Sequence, residues 1–215
     1  NVDLWIVFSP ISKKILIKNN IKEFKIKQLN IFENKKFKIK KNNKIYDFIY
    51  PATYKPHKNH ENLLKALIIL SKKNIRPKVL LTLNEFEKEK ININFYIKKY
   101  NLKIFFYFSK SKKNFLKKYN LCKALVYPSL NETIGLPIIE AKNRGLFLLC
   151  SNKPYSRQFF LPDLEFDPMS PKNIAEKMIR TMEINFKNVT KLKNFKKLKN
   201  ISNSKIANIK RRIIK

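Results

Sequence analysis

From Lys44 to about residue 185 the chain alternates short apolar runs with longer mixed segments, and this alternation constrains the fold more than any other feature. The runs KIYDFIYPA, PKVLLTL, LKIFFYF, KALVYPS and LFLLCS read as strands. Between them, NHENLLKALIILSKKN carries Leu63, Leu64, Leu67, Ile68 and Leu70 on one helical stripe, with Asn59 placed as its N-cap. EFEKEKININFYIKKYN reads as one helical stretch, SKSKKNFLKKYN as a helix opened by Ser, and LPIIEAKNR as a further helix. DLEFDP is a short strand or turn, and SPKNIAEKMIRTME is a helix with Ser170 as N-cap and Pro171 at the first helical position. The strands show no polar alternation, so both of their faces must be buried. That is the signature of parallel strands covered by helices on both sides. The expected class is α/β, an open parallel sheet with helices on both faces. Such sheets bind ligands at the carboxyl ends of their strands.

The flanking segments differ. Residues 1–44 open with the apolar run VDLWIVFS, followed by a short helix around Lys13, a strand from Phe24 to Leu29, and an exposed linker, ENKKFKIKKNNK. Residues 186–215 are rich in Lys and Asn and read as a basic, helical tail. The central unit is then 45–185. The chain begins at Asn1, with no basic and apolar leader pattern, and reads as a piece of a longer protein. Its longest apolar runs, ALIIL and GLFLLC, are far shorter than the roughly 20 residues that span a bilayer. Cys122 and Cys150 lack disulfide or zinc-ligand spacing and read as reduced and buried, as suits a cytoplasmic setting.

Lys and Arg outnumber Asp and Glu by 48 to 15, a net charge of +33. A field of that sign draws phosphate-bearing ligands, anionic membranes and nucleic acid. The excess is lysine dispersed along the whole chain, together with abundant Asn and Ile, as A/T-rich codons produce. That dispersal argues against a dedicated nucleic-acid surface.

Against that background, one segment stands out. The chain has two glycines, Gly135 and Gly145, and they bound the stretch GLPIIEAKNRG, just after the strand KALVYPS. Gly145 is placed to end a helix in the left-handed conformation. Gly135 lies where the loop SLNETIG turns into the helix, with Pro137 at the first helical position. A residue without a side chain there lets a ligand approach the free N–H groups of the helix start, which suits phosphate. Glu132 in the loop and Glu140 about one turn into the helix are carboxylates able to accept hydrogen bonds from sugar or ribose hydroxyls.

YPSLNETIGLPIIEAKNRGLFLLCS resembles the Glu-x7-Glu segment of family 4 glycosyltransferases, retaining enzymes of the GT-B fold. The correspondence rests on Pro128, Ser129, Glu132, Gly135, Leu136, Pro137, Glu140, Ala141, Gly145 and Ser151. YPATYKPHKNHENLLKAL resembles the first strand, loop and helix of the family's nucleotide-binding domain, with Lys58 at the position of a diphosphate-contacting Lys. FDPMSPKNIAEKM resembles its closing segment, and VDLWIVFSPISKKIL the end of its first domain. The resemblance covers residues 2 to 183 and implies a Rossmann-like domain that binds a nucleotide-sugar donor, with residues 1–44 as a remnant of the acceptor domain. It implies that Glu132 is catalytic, facing the donor sugar, and that Glu140 binds the ribose. The backbone of Thr133, Ile134, Gly135 and Leu136 would hold the diphosphate and Lys58 would neutralise it, with no metal or other cofactor. The acceptor would be a saccharide or lipid-linked molecule, with peripheral contact to an anionic membrane. The chain departs from the family at Ile134, where an aromatic residue is usual, and at Thr53, where an Arg is often found, leaving Lys55 to assist Lys58. Most of the first domain is missing, so a non-catalytic remnant of such an enzyme is the rival reading and a basic nucleic-acid-binding domain the next.

Other candidates carry less. His57 and His60 have helical metal spacing but no third ligand. FFYF at 105–108 reads as a buried strand rather than a base-stacking platform. NIKRRIIK reads as a solvated basic end. Tyr155, Ser156 and Arg157 fall near the same strand ends, with Arg157 as a further phosphate contact.

Overall fold

The apolar runs emerge as strands of one parallel sheet in the computed structural model, which describes residues 2–29, 44–109 and 111–184. A small parallel pair comes first: β1 (Trp5–Val7), α1 (Pro10–Lys18) and β2 (Ile26–Gln28). The main unit follows as β3 (Tyr46–Tyr50), α2 (His60–Lys72), β4 (Val79–Leu81), α3 (Glu85–Lys90), α4 (Ile93–Tyr100), β5 (Ile104–Phe106), α5 (Lys112–Tyr119) and β6 (Cys122–Tyr127). It closes with α6 (Leu136–Asn143), β7 (Phe147–Ser151), β8 (Leu164–Phe166) and α7 (Pro171–Glu183). The linker at 30–43 and the tail at 186–215 lie outside the described residues.

The six strands run parallel in the order β5-β4-β3-β6-β7-β8. Numbered within this sheet, the order is third, second, first, fourth, fifth, sixth, which is the Rossmann arrangement. Its centre is fully buried: Phe48, Ile49, Ala124, Leu125, Val126, Leu148 and Leu149 have no exposed surface. Helices lie against both faces, which is why these strands tolerate no polar alternation. Cys122 and Cys150 are free and buried, and burial pushes the Cys122 thiol up to about 12. Among the described residues no helix is long and apolar enough to cross a membrane.

Scarcity of glycine has a visible structural consequence. Every described non-glycine residue with positive φ is an asparagine: Asn20, Asn59, Asn74, Asn92 and Asn101. Asn is the L-residue that tolerates the left-handed region best. Asn20, Asn74 and Asn101 each follow a helix end and close it with paired bonds. At Asn74, for example, Ile75 N–H donates to Leu70 O at 3.0 Å and Asn74 N–H to Ser71 O at 2.9 Å. Gly145 (φ +70°) closes α6 in the same way, with Leu146 N–H to Ala141 O at 3.1 Å and its own N–H to Lys142 O at 3.0 Å.

Several expectations need correction. The stretch 84–101 is two helices, because Asn92 (φ 48°) breaks it and Asn84 opens the first with a reciprocal cap to Glu87. Helix α6 begins at Leu136, so Pro137 occupies its second position. Asn59 does sit at the N-cap of α2, but its side chain makes no cap bond. FFYF is not buried: β5 is the edge strand, Phe105 is 39% exposed and Phe108 59%. His60, at the start of α2, is buried against the Tyr50 ring at a centroid distance of 4.7 Å, and neither ring nitrogen has a hydrogen-bond partner among the described residues. Burial first, and then the charge of Lys58, hold its pKa down at about 4, against an opposing pull from the Ala52 backbone.

Two stability predictions follow from this architecture. Asn74→Ala should lower the unfolding free energy by about 1 kcal/mol in urea melts, because Ala resists positive φ, whereas Asn74→Gly should not lower it. His60 binds its proton more weakly folded than unfolded, so its contribution is complete above the unfolded value near 6.5 and is lost as pH falls through about 4. His60→Phe should therefore flatten the pH dependence of stability between those limits, by up to about 3 kcal/mol. Parallel pH profiles for the two proteins would count against this assignment.

Candidate functional site

Strand order reverses between β3 and β6, which are parallel neighbours in the sheet. Connections leave these two strands to opposite sides, so a crevice opens at their carboxyl ends. The loop after β3 carries Lys58 and the loop after β6 carries Glu132. Backbone and side-chain bonds hold the two loops together. Leu130 N–H donates to His57 O at 2.7 Å. The Asn59 amide donates to Pro128 O at 3.0 Å and to Pro168 O at 2.7 Å, which is the work its side chain does instead of capping α2. Beneath them, Tyr50 at the end of β3 donates its hydroxyl to Lys58 O at 2.5 Å. Its single proton is thereby used, so the buried Ser129 hydroxyl donates to the Tyr50 oxygen at 3.1 Å. Tyr155, after β7, donates to Ser129 O at 2.6 Å.

At the crevice itself, Lys58 Nζ lies 2.6 Å from Glu132 Oε1, and the side chains are only 17% and 12% exposed. The same oxygen accepts the Tyr127 hydroxyl at 2.8 Å. Burial, and then the negative charge of Glu132, hold the Tyr127 hydroxyl well above its ordinary range, so it remains a donor. The carboxylate is thus gripped by a cation from one loop and a neutral donor from the end of β6.

Glu140 is held separately. Its Oε2 accepts the Tyr119 hydroxyl at 2.9 Å, and its Oε1 lies 3.9 Å from Lys112 Nζ. Burial and the Glu140 charge likewise hold Tyr119 in its protonated form. Glu132 and Glu140 share none of these partners, so they are two carboxylates with two settings rather than one paired acid.

Between them lies the turn into α6. Gly135 has φ +69°, and a Cβ there would meet Ile138 Cδ1 at 3.2 Å, so the position resists any side chain on both counts. Among the described residues, the backbone N–H groups of Thr133, Ile134, Gly135 and Leu136 donate no hydrogen bond. They are four donors at a helix start, next to Lys58 and Glu132, which is an arrangement that attracts anions.

Some sequence candidates do not converge here. Arg157 is clamped by Glu165, with Nε and Nη2 each 2.6 Å from a carboxylate oxygen. Two of its three guanidinium nitrogens are thereby engaged by that carboxylate. His57 is exposed while His60 is buried. Among the described residues no group of three or more His, Cys, Asp or Glu could hold a metal ion. Sequence reading missed the two tyrosines, Tyr50 and Tyr127, that end the central strands, and also Gln158. The only signal was a Tyr at the carboxyl end of each of two buried strands.

A family model described as glycosyl transferases group 1 matches residues 31–200. No curated protein matches the chain. Among solved structures, TarM is 18% identical with a TM-score of 0.68, over 83% of this chain and 36% of TarM. A glycosyltransferase from Rickettsia africae ESF-5 is 17% identical with a TM-score of 0.68, over 85% of this chain and 54% of that one. Anabaena HepE, solved in complex with UDP and glucose, is 16% identical with a TM-score of 0.67, over 84% of this chain and 54% of HepE. The chain therefore spans roughly a third to a half of the length of these structures, and it shares their fold. A strand order with its reversal at β3 and β6, a crevice edged by Lys58 and Glu132, and a family match over most of the chain lead to one assignment: the protein belongs to the glycosyl transferases group 1 family.

Proposed function

We propose that this chain is the donor-binding half of a retaining glycosyltransferase of family 4, acting through its Glu-x7-Glu segment on a nucleotide-sugar of the hexosyl or a related type. The observation that carries this reading is the meeting of Lys58 and Glu132 beside the unpaired N–H groups at the start of α6. HepE shares the fold and holds UDP and glucose, which supports a nucleoside diphosphate sugar as donor.

In this reading the diphosphate lies over Thr133, Ile134, Gly135 and Leu136 and draws Lys58 to itself. Glu132, still held by Tyr127, turns its carboxylate to the donor sugar and supports the reacting centre. Glu140 accepts the ribose hydroxyls. As the glycosidic bond breaks, negative charge builds on the leaving phosphate, and prearranged N–H groups and a cation at that point lower the barrier. Lys58 and the helix start supply that charge, so the proposal invokes no metal. The acceptor is a saccharide or lipid-linked molecule of polysaccharide biosynthesis, approached from the cytoplasmic side. The +33 charge favours peripheral contact with an anionic membrane there. Because the chain spans only part of its structural relatives, we propose that it binds donor but needs the remaining acceptor domain for turnover.

Calorimetric titration with UDP, GDP and ADP sugars should show millimolar or tighter binding of at least one. Glu140→Ala and Lys58→Met should each weaken it by about tenfold or more, the value of a charge-assisted hydrogen bond. If none binds and Glu140→Ala changes nothing, the assignment fails. A less obvious outcome follows from the ion pair. Glu132→Gln removes the carboxylate that competes for Lys58, so the free nucleoside diphosphate should bind at least as tightly as to the parent chain. A clear loss of that affinity would contradict the competition.

A further inference from the structure

The loop that presents the N–H groups has few bonds of its own. Leu130 N–H donates to His57 O at one end, and Ile138 N–H donates to Gly135 O at the other, 2.7 and 2.9 Å respectively. Between those points, among the described residues, a single side chain bonds the loop backbone, and it reaches in from β7's side of the sheet. Gln158 Nε2 donates to Thr133 O at 3.1 Å and to Ile134 O at 2.9 Å. Two carbonyl acceptors can be satisfied only by the NH2 end of the amide, so its orientation is determined. Its Oε1 is buried without a partner among the described residues, so the side chain is held by the loop carbonyls rather than by its own full satisfaction.

We infer that Gln158 is a positioning residue for the diphosphate loop, an inference that rests on the donor-binding reading above. No described peptide bond is cis. In a trans peptide the N–H points opposite to the C=O. Holding the carbonyls of Thr133 and Ile134 therefore fixes the N–H groups of Ile134 and Gly135 on the side away from Gln158. These are two of the four unpaired donors at the start of α6. The turn that carries Gln158 is itself anchored on both sides. Tyr155 donates to Ser129 O at 2.6 Å, in the same β6 loop, and Arg157 is clamped to Glu165 of β8. Arg157 thus serves the crevice indirectly, by holding the turn that holds the loop.

The test uses the full 215-residue chain and Gln158→Met, which keeps the length of the side chain and removes its donor. Without any ligand, the NMR order parameters of the Ile134 and Gly135 amides should fall below about 0.6 while those of α6 stay at rigid values. With UDP, GDP and ADP against the matching monophosphates, the diphosphate affinity should fall by about tenfold. Monophosphate affinity should stay within about twofold. A role in stability alone would not move that ratio. Loop amides that remain rigid in the variant overturn the positioning role. A parallel loss of mono- and diphosphate binding overturns its link to the diphosphate. If the parent chain binds none of the three diphosphates, the donor reading and the diphosphate part of this inference fall together. The ligand-free measurement still decides whether Gln158 holds the loop.

Discussion

The reversal of strand order between β3 and β6 is the constraint on which the rest depends. Two adjacent parallel strands send their chains to opposite faces, so neither following helix covers the space above their ends. Whatever lines that space comes from the two loops, and here they bring opposite charges. Lys58 and Glu132 form a nearly buried pair at 2.6 Å, flanked by unpaired N–H groups. Buried ion pairs hold together through the hydrogen bonds around them. Tyr127 supplies one directly, while Tyr50, Ser129, Asn59 and Tyr155 hold the backbone beneath. The tyrosines are buried enough to stay protonated, so this support does not change near neutral pH.

A second constraint is compositional. With two glycines in the whole chain, the other left-handed positions among the described residues fall to asparagine. Among the described residues, Asn closes α1, α2 and α4 and, at Asn92, separates α3 from α4. Glycine survives at Gly145, where Asn would have served as it does after α2 and α4. It also stands at Gly135, where even a Cβ would press on Ile138. The Gly135 position is the one that space as well as φ dictates.

Much of the fold was legible in the sequence because buried parallel strands leave uniform apolar runs. The runs at Tyr46–Tyr50, Cys122–Tyr127 and Phe147–Ser151 show this directly. Ser170 and Pro171 marked the start of α7 for an equally local reason, the Ser170 hydroxyl accepting from Asn173 N–H. Two kinds of expectation failed. Edge and centre of a sheet look alike in sequence, so FFYF read as buried, and an Asn can continue a segment or break it, so α3 and α4 read as one. The sequence named Lys58, Glu132 and Gly135 one by one, but their juxtaposition, and the parts of Tyr127 and Gln158, depend on strand order, which no local pattern reveals.

In the proposed function a diphosphate is held at the β3–β6 crevice by Lys58 and the α6 start. The most direct test is to follow backbone amide resonances of the chain while a nucleoside diphosphate is added. Saturable shifts are expected, concentrated at Lys58 and at Thr133, Ile134, Gly135 and Leu136 and persisting as salt is raised. Shifts spread over the lysine-rich segments and abolished by salt, with those residues unmoved, would contradict it.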